Sequence, residues 1–203
     1  AIINWQGFSI GPNETTRFIQ QSAASAVLNR VTGGDPSQIL GALQSNGRVF
    51  LINPNGIAFG AGSRIDVGGL VASTLNLSDA DFLSGRMNFT ERTGAGAIAN
   101  AGEIRSAAGS QVLLIAPKVE NAGLIEAPNG DILLAAGRSV RLVDVHNPEI
   151  QYEVNAPDNA VVNLGNLSAV HVGLYGGAVR HAGTVSANSV ETDAAGRIVF
   201  RAL

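Results

Sequence analysis

Few residues in this sequence have the types and spacing that catalysis requires, and the nearest candidates are pairs of carboxylates. Asp79 and Asp81 lie close together on a polar segment, and Asp144 and Glu149 form a wider pair. Two carboxylates on a β-rich scaffold could cleave a glycosidic bond. No cluster of arginine, lysine or aromatic residues accompanies either pair to hold a sugar. We therefore predict that the chain is not an enzyme, and keep a carbohydrate-binding or carbohydrate-cleaving protein as the alternative.

The other polar candidates indicate no cofactor. His146, His171 and His181 are 25 and 10 residues apart and have no partner at helical spacing, so a metal site is not expected. The glycine-rich segment 56–63 resembles a phosphate-binding loop, but it lacks the lysine of such loops and no helix pattern follows it. Only 14% of residues are charged and they form no basic cluster, so we predict no nucleic-acid partner.

The composition favours strands and tight turns over helices. The 203 residues include 25 glycines, no cysteine and a net charge of −3. No apolar run approaches the roughly 20 residues of a membrane-spanning helix, and no signal peptide opens the sequence. We expect one monomeric domain over residues 1–203, in a mature or excised fragment. The lack of cysteine is compatible with export through an oxidising compartment.

A short internal repeat predicts the fold. The motif consists of an apolar residue, Asn or His two positions later, Gly after two more, and a second apolar residue; it occurs at 98–104, 119–125, 161–167 and 179–185. Its glycines are separated by 21, 42 and 18 residues. About 21 residues are too few for a βαβ unit but enough for strands joined by turns, with Asn and Gly supplying the positive φ of sharp corners. We predict an all-β, right-handed parallel β-helix of nine or ten coils, roughly 45 Å long.

A second pattern supports the same period and marks where it breaks. Apolar runs recur at 49–52, 112–115, 132–135 and 198–200, and the first interval of 63 residues corresponds to three coils. The polar segments 76–93 and 144–159 interrupt the repeat, and we expect them to be hairpin excursions outside the helix. Capping residues at 35–38 predict a short α-helix that ends near Leu43.

Four motifs in the same order also resemble a known family. They are Asn4-Trp5, the segment 27–39 (Val27-Leu28-Asn29-Arg30 to Ile39), the segment 47–57 (Gly47-Arg48-Val49 to Ile57), and Val67-Gly68-Gly69-Leu70. Together they resemble the N-terminal secretion domain of filamentous-haemagglutinin-like exoproteins of two-partner secretion, densely from Ala1 to about Leu142. The family's domain usually begins some tens of residues earlier with strands that cap the helix. We therefore expect the first coil to be uncapped and its end exposed.

The resemblance implies a function in export. Such domains are recognised in the periplasm by the polypeptide-transport-associated domains of an outer-membrane β-barrel transporter, and they fold vectorially into a β-helix outside the cell. The parent proteins are large secreted or surface proteins of Gram-negative bacteria, often adhesins, and a host-surface or glycan ligand would be bound by their distal part.

The resemblance also singles out one turn as the candidate site. The turn is Asn53-Pro54-Asn55-Gly56-Ile57, for which the family implies recognition by the transporter. Pro54 presets the φ of a tight turn, so a purely structural role is the competing hypothesis. A partner could also add a strand to an exposed edge. Supporting candidates are Asn29, Arg30 and Arg48.

Overall fold

Short parallel strands, stacked coil upon coil, account for most of the chain in the computed structural model. The structure describes residues 1–91, 94–142, 152–155, 159–187, 189–192 and 198–201, with the backbone alone in 152–155, 189–192 and 198–201. The strands form three parallel stacks, which are the faces of the coils, and one antiparallel sheet outside them. The arrangement is a parallel β-helix, as the repeat predicts.

Each stack takes one strand from successive coils. The first stack contains β1 (Ile2–Trp5), β3 (Ala26–Val31), β6 (Arg48–Ile52), β9 (Gly69–Ser73), β14 (Gln111–Ala116) and the second halves of β16 (Leu124–Ala136) and β20 (Asn166–Tyr175). The second contains β2 (Thr15–Phe18), β5 (Ala42–Ser45), β8 (Arg64–Val67), β13 (Glu103–Ser106), the first halves of β16 and β20, and β22 (Thr184–Ser186). The third contains β4 (Ser37–Ile39), β7 (Ile57–Phe59), β12 (Ile98–Asn100), β15 (Lys118–Asn121), β19 (Ala160–Asn163) and β21 (Ala178–His181).

The helix has fewer coils than the sequence predicts. The strands named above give seven layers in the first and second stacks of the described chain, so the height is about 29 Å at roughly 4.8 Å per layer. Asn121 pairs directly with Asn163, and Val71 pairs directly with Leu113. Each of these 42-residue intervals is one coil plus an excursion. An excursion about as long as one coil leaves the 21-residue spacing of the repeat unchanged. The prediction of nine or ten coils was wrong because it counted the excursions as coils.

Two further local predictions were also wrong. Residues 37–39 and 42–45 are strands rather than a helix, because Ser37–Ile39 pairs in parallel with Ile57–Phe59 and buries Ile39 completely. The apolar run at 198–200 is not another coil strand. It lies in β24 (Ile198–Arg201), which pairs antiparallel with β20 and with β23 (Ser189–Thr192).

The two excursions meet in one antiparallel sheet. Its order is β10 (Asn76–Leu77), β11 (Met87–Thr90), β17 (Ser139–Leu142) and β18 (Tyr152–Asn155), and α1 (Asp79–Leu83) connects the first two strands. We call this sheet together with α1 the cover. The second excursion thus begins at Ser139 rather than at 144, since the apolar alternation of 139–142 resembles a coil strand.

The first stack is buried on both faces. Val49, Leu70, Val112 and Ile132 lie in register inside the helix, whereas Leu28, Phe50, Val71, Leu113 and Leu133 form a column on its outer face. The cover packs on that outer column and adds Leu77, Met87, Phe89, Val140 and Leu142 to it. Burial on both faces explains why these strands are continuous apolar runs, whereas β8 in the second stack alternates exposed and buried residues.

Aromatic residues close the interior at the first coil. Phe8 is 6% exposed and lies between Trp5, at 5.6 Å between ring centroids, and Phe18, at 6.3 Å. The indole N–H of Trp5 donates to Asn29 Oδ1 at 3.0 Å. Within the described residues, β1 and β2 are edge strands of their stacks. No helix in the same residues is long and apolar enough to cross a membrane.

Candidate functional site

The segment 53–57 forms a tight turn between the first and third stacks. β6 ends at Ile52, the amide of Gly56 donates to the carbonyl of Asn53 at 3.2 Å, and β7 begins at Ile57. Gly56 has φ of +125°, a conformation that a side chain would strain. Asn53, Gly56 and Ile57 are buried, Pro54 is half-buried and Asn55 is exposed. The turn is therefore present as predicted, and its exposed part is small.

Asn53 uses both ends of its side-chain amide inside the turn. Its Nδ2 donates to the carbonyl of Asp35 at 3.0 Å and to Ser37 Oγ at 2.9 Å. Its Oδ1 accepts from the backbone N–H of Asn55 at 3.0 Å and from Asn55 Nδ2 at 3.1 Å. The side chain is 0% exposed. Asn53 therefore ties this turn to the preceding coil and offers no group to a partner.

The same turn is where the first excursion leaves and rejoins the helix. The amide of Asn53 donates to the carbonyl of Ser73 at 3.0 Å, just before the excursion begins. On its return, the amide of Gly96 donates to the carbonyl of Pro54 at 2.7 Å. Thr74 Oγ1 closes the neck by donating to the carbonyl of Gly96 at 2.8 Å. A change in the turn consequently affects the seating of the excursion as well as the corner itself.

The supporting candidates have different environments. Asn29 is fully buried, accepting from Trp5 and donating through Nδ2 to the carbonyl of Phe50 at 3.3 Å. Arg30 lies on the outer face of the first stack and contacts the cover through Asp79 Oδ1 at 2.6 Å and the carbonyl of Leu77 at 2.7 Å. Arg48 is exposed and donates to the carbonyl of Ala24 at 3.4 Å. Arg48 alone is freely accessible among these three.

The carboxylate pair is committed to α1 and its surroundings. Asp79 pairs with Arg30, and Asp81 accepts from Arg86 Nε at 2.8 Å and from Ser78 Oγ at 2.7 Å. The hydrogen bond from Arg86, and then that from Ser78, hold the pKa of Asp81 below its ordinary value of 3.8. A lowered pKa is unsuited to a general acid near neutral pH. Asp144, Glu149 and His146 lie outside the described residues.

The asparagines of the repeat form a buried ladder that sequence reasoning missed. Asn100 Nδ2 donates to Asn121 Oδ1 at 2.7 Å, and Asn121 Nδ2 donates to Asn163 Oδ1 at 2.8 Å. Asn163 Nδ2 lies 3.0 Å from His181 Nδ1, which ends the ladder. The identical residue at one register position in successive coils was the available signal.

The glycines of the repeat are needed for close approach rather than for positive φ. A Cβ on Gly123 would meet the carbonyl oxygen of Gly102 well inside van der Waals contact, and one on Gly165 would meet that of Gly123. None of these glycines has a positive φ, so the corner conformation predicted from the sequence was wrong. The backbone of the preceding coil fills the space that a side chain would need.

The remaining described histidine also stacks with its neighbouring coils. His171 Nδ1 lies 2.7 Å from Asp131 Oδ1, and Gln111 Nε2 donates to Asp131 Oδ2 at 3.1 Å. These three residues occupy equivalent positions in successive coils. The part of the chain that the structure describes contains no group of three or more residues that could hold a metal ion.

Comparisons with known proteins agree with this geometry. The family model described as TPS secretion domain matches residues 1–201. The crystal structure of the HMW1 secretion domain from Haemophilus influenzae superposes with a TM-score of 0.86 and 41% identity, covering 95% of this chain and 53% of that one. A heme/hemopexin-binding protein of H. influenzae is 36% identical over 175 residues, which are 82% of this chain and 19% of that protein. A second protein of the same description is 42% identical over 93 residues, 46% of this chain and 10% of the relative. The chain thus spans a fifth or less of the two heme/hemopexin-binding proteins and about half of the HMW1 secretion domain.

Proposed function

Because the chain belongs to the family of TPS secretion domains, the domains that direct two-partner secretion of exoproteins, we propose that it is recognised by a dedicated outer-membrane β-barrel transporter and folds vectorially on export. The family is a secretion domain of exported proteins and not an enzyme family. The observation that carries the proposal is the family match over residues 1–201 on a fold made of stackable coils. The partner would present periplasmic polypeptide-transport-associated domains to the incoming chain.

The stacking of the coils supports folding in the order of export. Each coil pairs in parallel with the one before it, and each new asparagine of the ladder accepts from a side chain already in place. A coil can therefore add to the existing end without rearranging earlier ones, as in other repeat proteins whose stability is a nearest-neighbour sum. Folding outside the cell would favour forward movement of the chain.

We assign the turn at 53–57 a role that is mainly structural. Its buried member, Asn53, would act through the fold, and its exposed member, Asn55, would be the side chain within reach of a partner. Asn55 Nδ2 donates to the carbonyl of Gly33 at 2.8 Å, so it also joins two coils. Arg48, the accessible cation of the supporting set, would help to orient the partner.

Secretion of a reporter fused to the domain, in cells with the cognate transporter, tests this proposal. We expect Asn53→Ala to lower both secretion and the stability of the purified domain, and Asn55→Ala to lower secretion with a smaller effect on stability. Asn166→Ala, an exposed asparagine far from the turn, serves as the matched control. Unchanged secretion of both turn variants would exclude a role of this turn in export, and secretion without the transporter would exclude the partner.

We propose that any binding activity of the parent protein lies outside this domain. The relatives' names describe heme and hemopexin binding, but the matched regions are 19% and 10% of those proteins. A glycan-cleaving role for this domain would need carboxylates that are free to react, and Asp79 and Asp81 are bound by arginines. We propose a monomeric domain, secreted or at the cell surface after passage through the periplasm, that carries no catalytic site.

A further inference from the structure

The outer face of the first stack depends on residues far along the chain for its burial. Leu28, Phe50 and Val71 lie on this face and are 0%, 3% and 5% exposed. The side chains that cover them come from β11 and β17, at residues 87–90 and 139–142. β11 pairs with β10 on one side and with β17 on the other. The face cannot be fully covered until the chain through Leu142 is in place.

One side chain connects the cover to the helix at its edge. Arg30 projects from β3 and reaches Asp79 Oδ1 at 2.6 Å, the carbonyl of Leu77 at 2.7 Å and Asn4 Oδ1 at 3.5 Å. Its side chain is 18% exposed, and its Nε is buried without a hydrogen-bond partner. Removing a guanidinium from water costs free energy, which is offset only when its remaining contacts have good geometry. The contacts of Arg30 join β1, β3 and the start of the cover.

The cover and the helix are otherwise built as separate hydrogen-bonded units. The described strands of the cover pair only with one another, in antiparallel register, and none of them extends a stack of the helix. The two units meet through side chains, in an apolar layer that also includes the edge-to-face contact of Phe50 with Phe82 at 5.1 Å. Packing without shared backbone pairing allows one unit to open while the other stays intact.

We infer that the cover is a separately opening unit that docks onto coils already formed, and that Arg30 fastens it to them. The helix then has an apolar outer face that remains open to water until residues through Leu142 are available. During export in the order proposed above, on which this consequence rests, the first coils would gain their full stability only after the second excursion had emerged. The contact of Arg30 with the cover and the separate opening of the cover do not depend on export, because both are properties of the isolated domain.

Hydrogen exchange on the purified domain tests the inference without any transporter. We expect the amides of β11 and β17 to exchange at least about tenfold faster than those of β12 and β15, because local opening exposes the cover alone. Phe59→Ala removes a ring from the interior of the helix, so it should speed exchange in β12 and β15 by at least about a hundredfold and leave exchange in the cover unchanged. Phe89→Ala is the matched variant in the cover and should speed exchange in both units, since full unfolding includes opening of the cover.

The contact of Arg30 with the cover is tested by Arg30→Gln, with the exposed Arg48→Gln as its control. We expect the first variant to speed exchange in the cover roughly 5- to 30-fold and the second to have no effect. If Phe59→Ala does not fold, Ile98→Val, a milder change in the same interior, takes its place. Equal exchange of cover and helix in the wild type, with equal acceleration of both by the interior variant, would show one cooperative unit and overturn the inference. Failure of secretion in the reporter assay would bear only on the proposed function.

Discussion

Removing the central amide of the asparagine ladder should cost a large part of the stability of the domain. In Asn121→Ala, the buried Nδ2 of Asn100 loses its 2.7 Å acceptor and keeps only a 3.5 Å contact with the carbonyl of Gly102, and the buried Oδ1 of Asn163 loses its 2.8 Å donor. A buried polar group that loses its main partner costs about 1–3 kcal/mol, so the free energy of unfolding should fall by roughly 2–6 kcal/mol. At about 2–4 °C per kcal/mol for a chain of this size, the Tm should fall by roughly 10 °C.

Guanidinium chloride unfolding, followed by circular dichroism and by the fluorescence of Trp5, measures this loss. Asn166→Ala, at an exposed asparagine in the sixth coil from which no ladder bond originates, should stay within about 0.5 kcal/mol of the wild type. A loss below about 1 kcal/mol for Asn121→Ala, or equal losses for the two variants, would refute the claim that the ladder stabilises the helix.

Three further outcomes follow from the described contacts. Gly123→Ala should cost at least about 2 kcal/mol in the same unfolding experiment, because its Cβ would overlap the backbone of the preceding coil. Gly7→Ala, with open space around it, should leave the stability unchanged, and similar losses for the two variants would contradict the close approach. His181→Asn should keep the last hydrogen bond of the ladder, whereas His181→Leu should lower the free energy of unfolding by about 1 kcal/mol. Equal Tm values for the two variants would show that the side chain of residue 181 does not stabilise the ladder. Since the pKa of Asp81 is lowered, its bond with Arg86 should stabilise the cover fully above pH 3.8 and be lost as the pH falls through that lowered pKa. In Asp81→Asn, hydrogen exchange in the cover should no longer speed up as the pH falls through the pKa of Asp81. The same pH dependence in the variant and the wild type would contradict a stabilising role of the Asp81–Arg86 bond.

The fold class followed from the sequence because the repeat encodes contacts between neighbouring coils. Residues at equivalent positions lie directly over one another, so an apolar or asparagine position must recur at the coil length. The coil number did not follow, since periodicity cannot distinguish a second coil from an excursion of equal length, as between Asn121 and Asn163. The helix predicted near Pro36 failed for a related reason. Capping chemistry is local, and pairing of Ser37–Ile39 with the next coil overrode it.

The sequence predicted the position of the candidate turn but not the contacts of its side chains. Pro54 and Gly56 indicate a turn through their own backbone preferences, and the turn is present. That the side chain of Asn53 is wholly committed to Asp35 and Ser37 depends on which residues the preceding coil brings beside it. Arg30 is the clearest case, because its partner Asp79 lies in an excursion whose path the sequence does not specify.

The asparagine ladder also has a direction. Asn100 and Asn121 each donate from Nδ2 to the next asparagine on the C-terminal side, and Asn121 and Asn163 each accept from the N-terminal side, so the ladder has one polarity along the axis. Each bond polarises the next, and an incomplete ladder ends in a donor that awaits an acceptor. If the helix grows coil by coil as proposed, each existing end would select the coil that follows it by hydrogen-bond polarity as well as by apolar fit. In the last coil the equivalent residue is His181, whose Nδ1 accepts from Asn163 Nδ2, and the series of side-chain donors ends there.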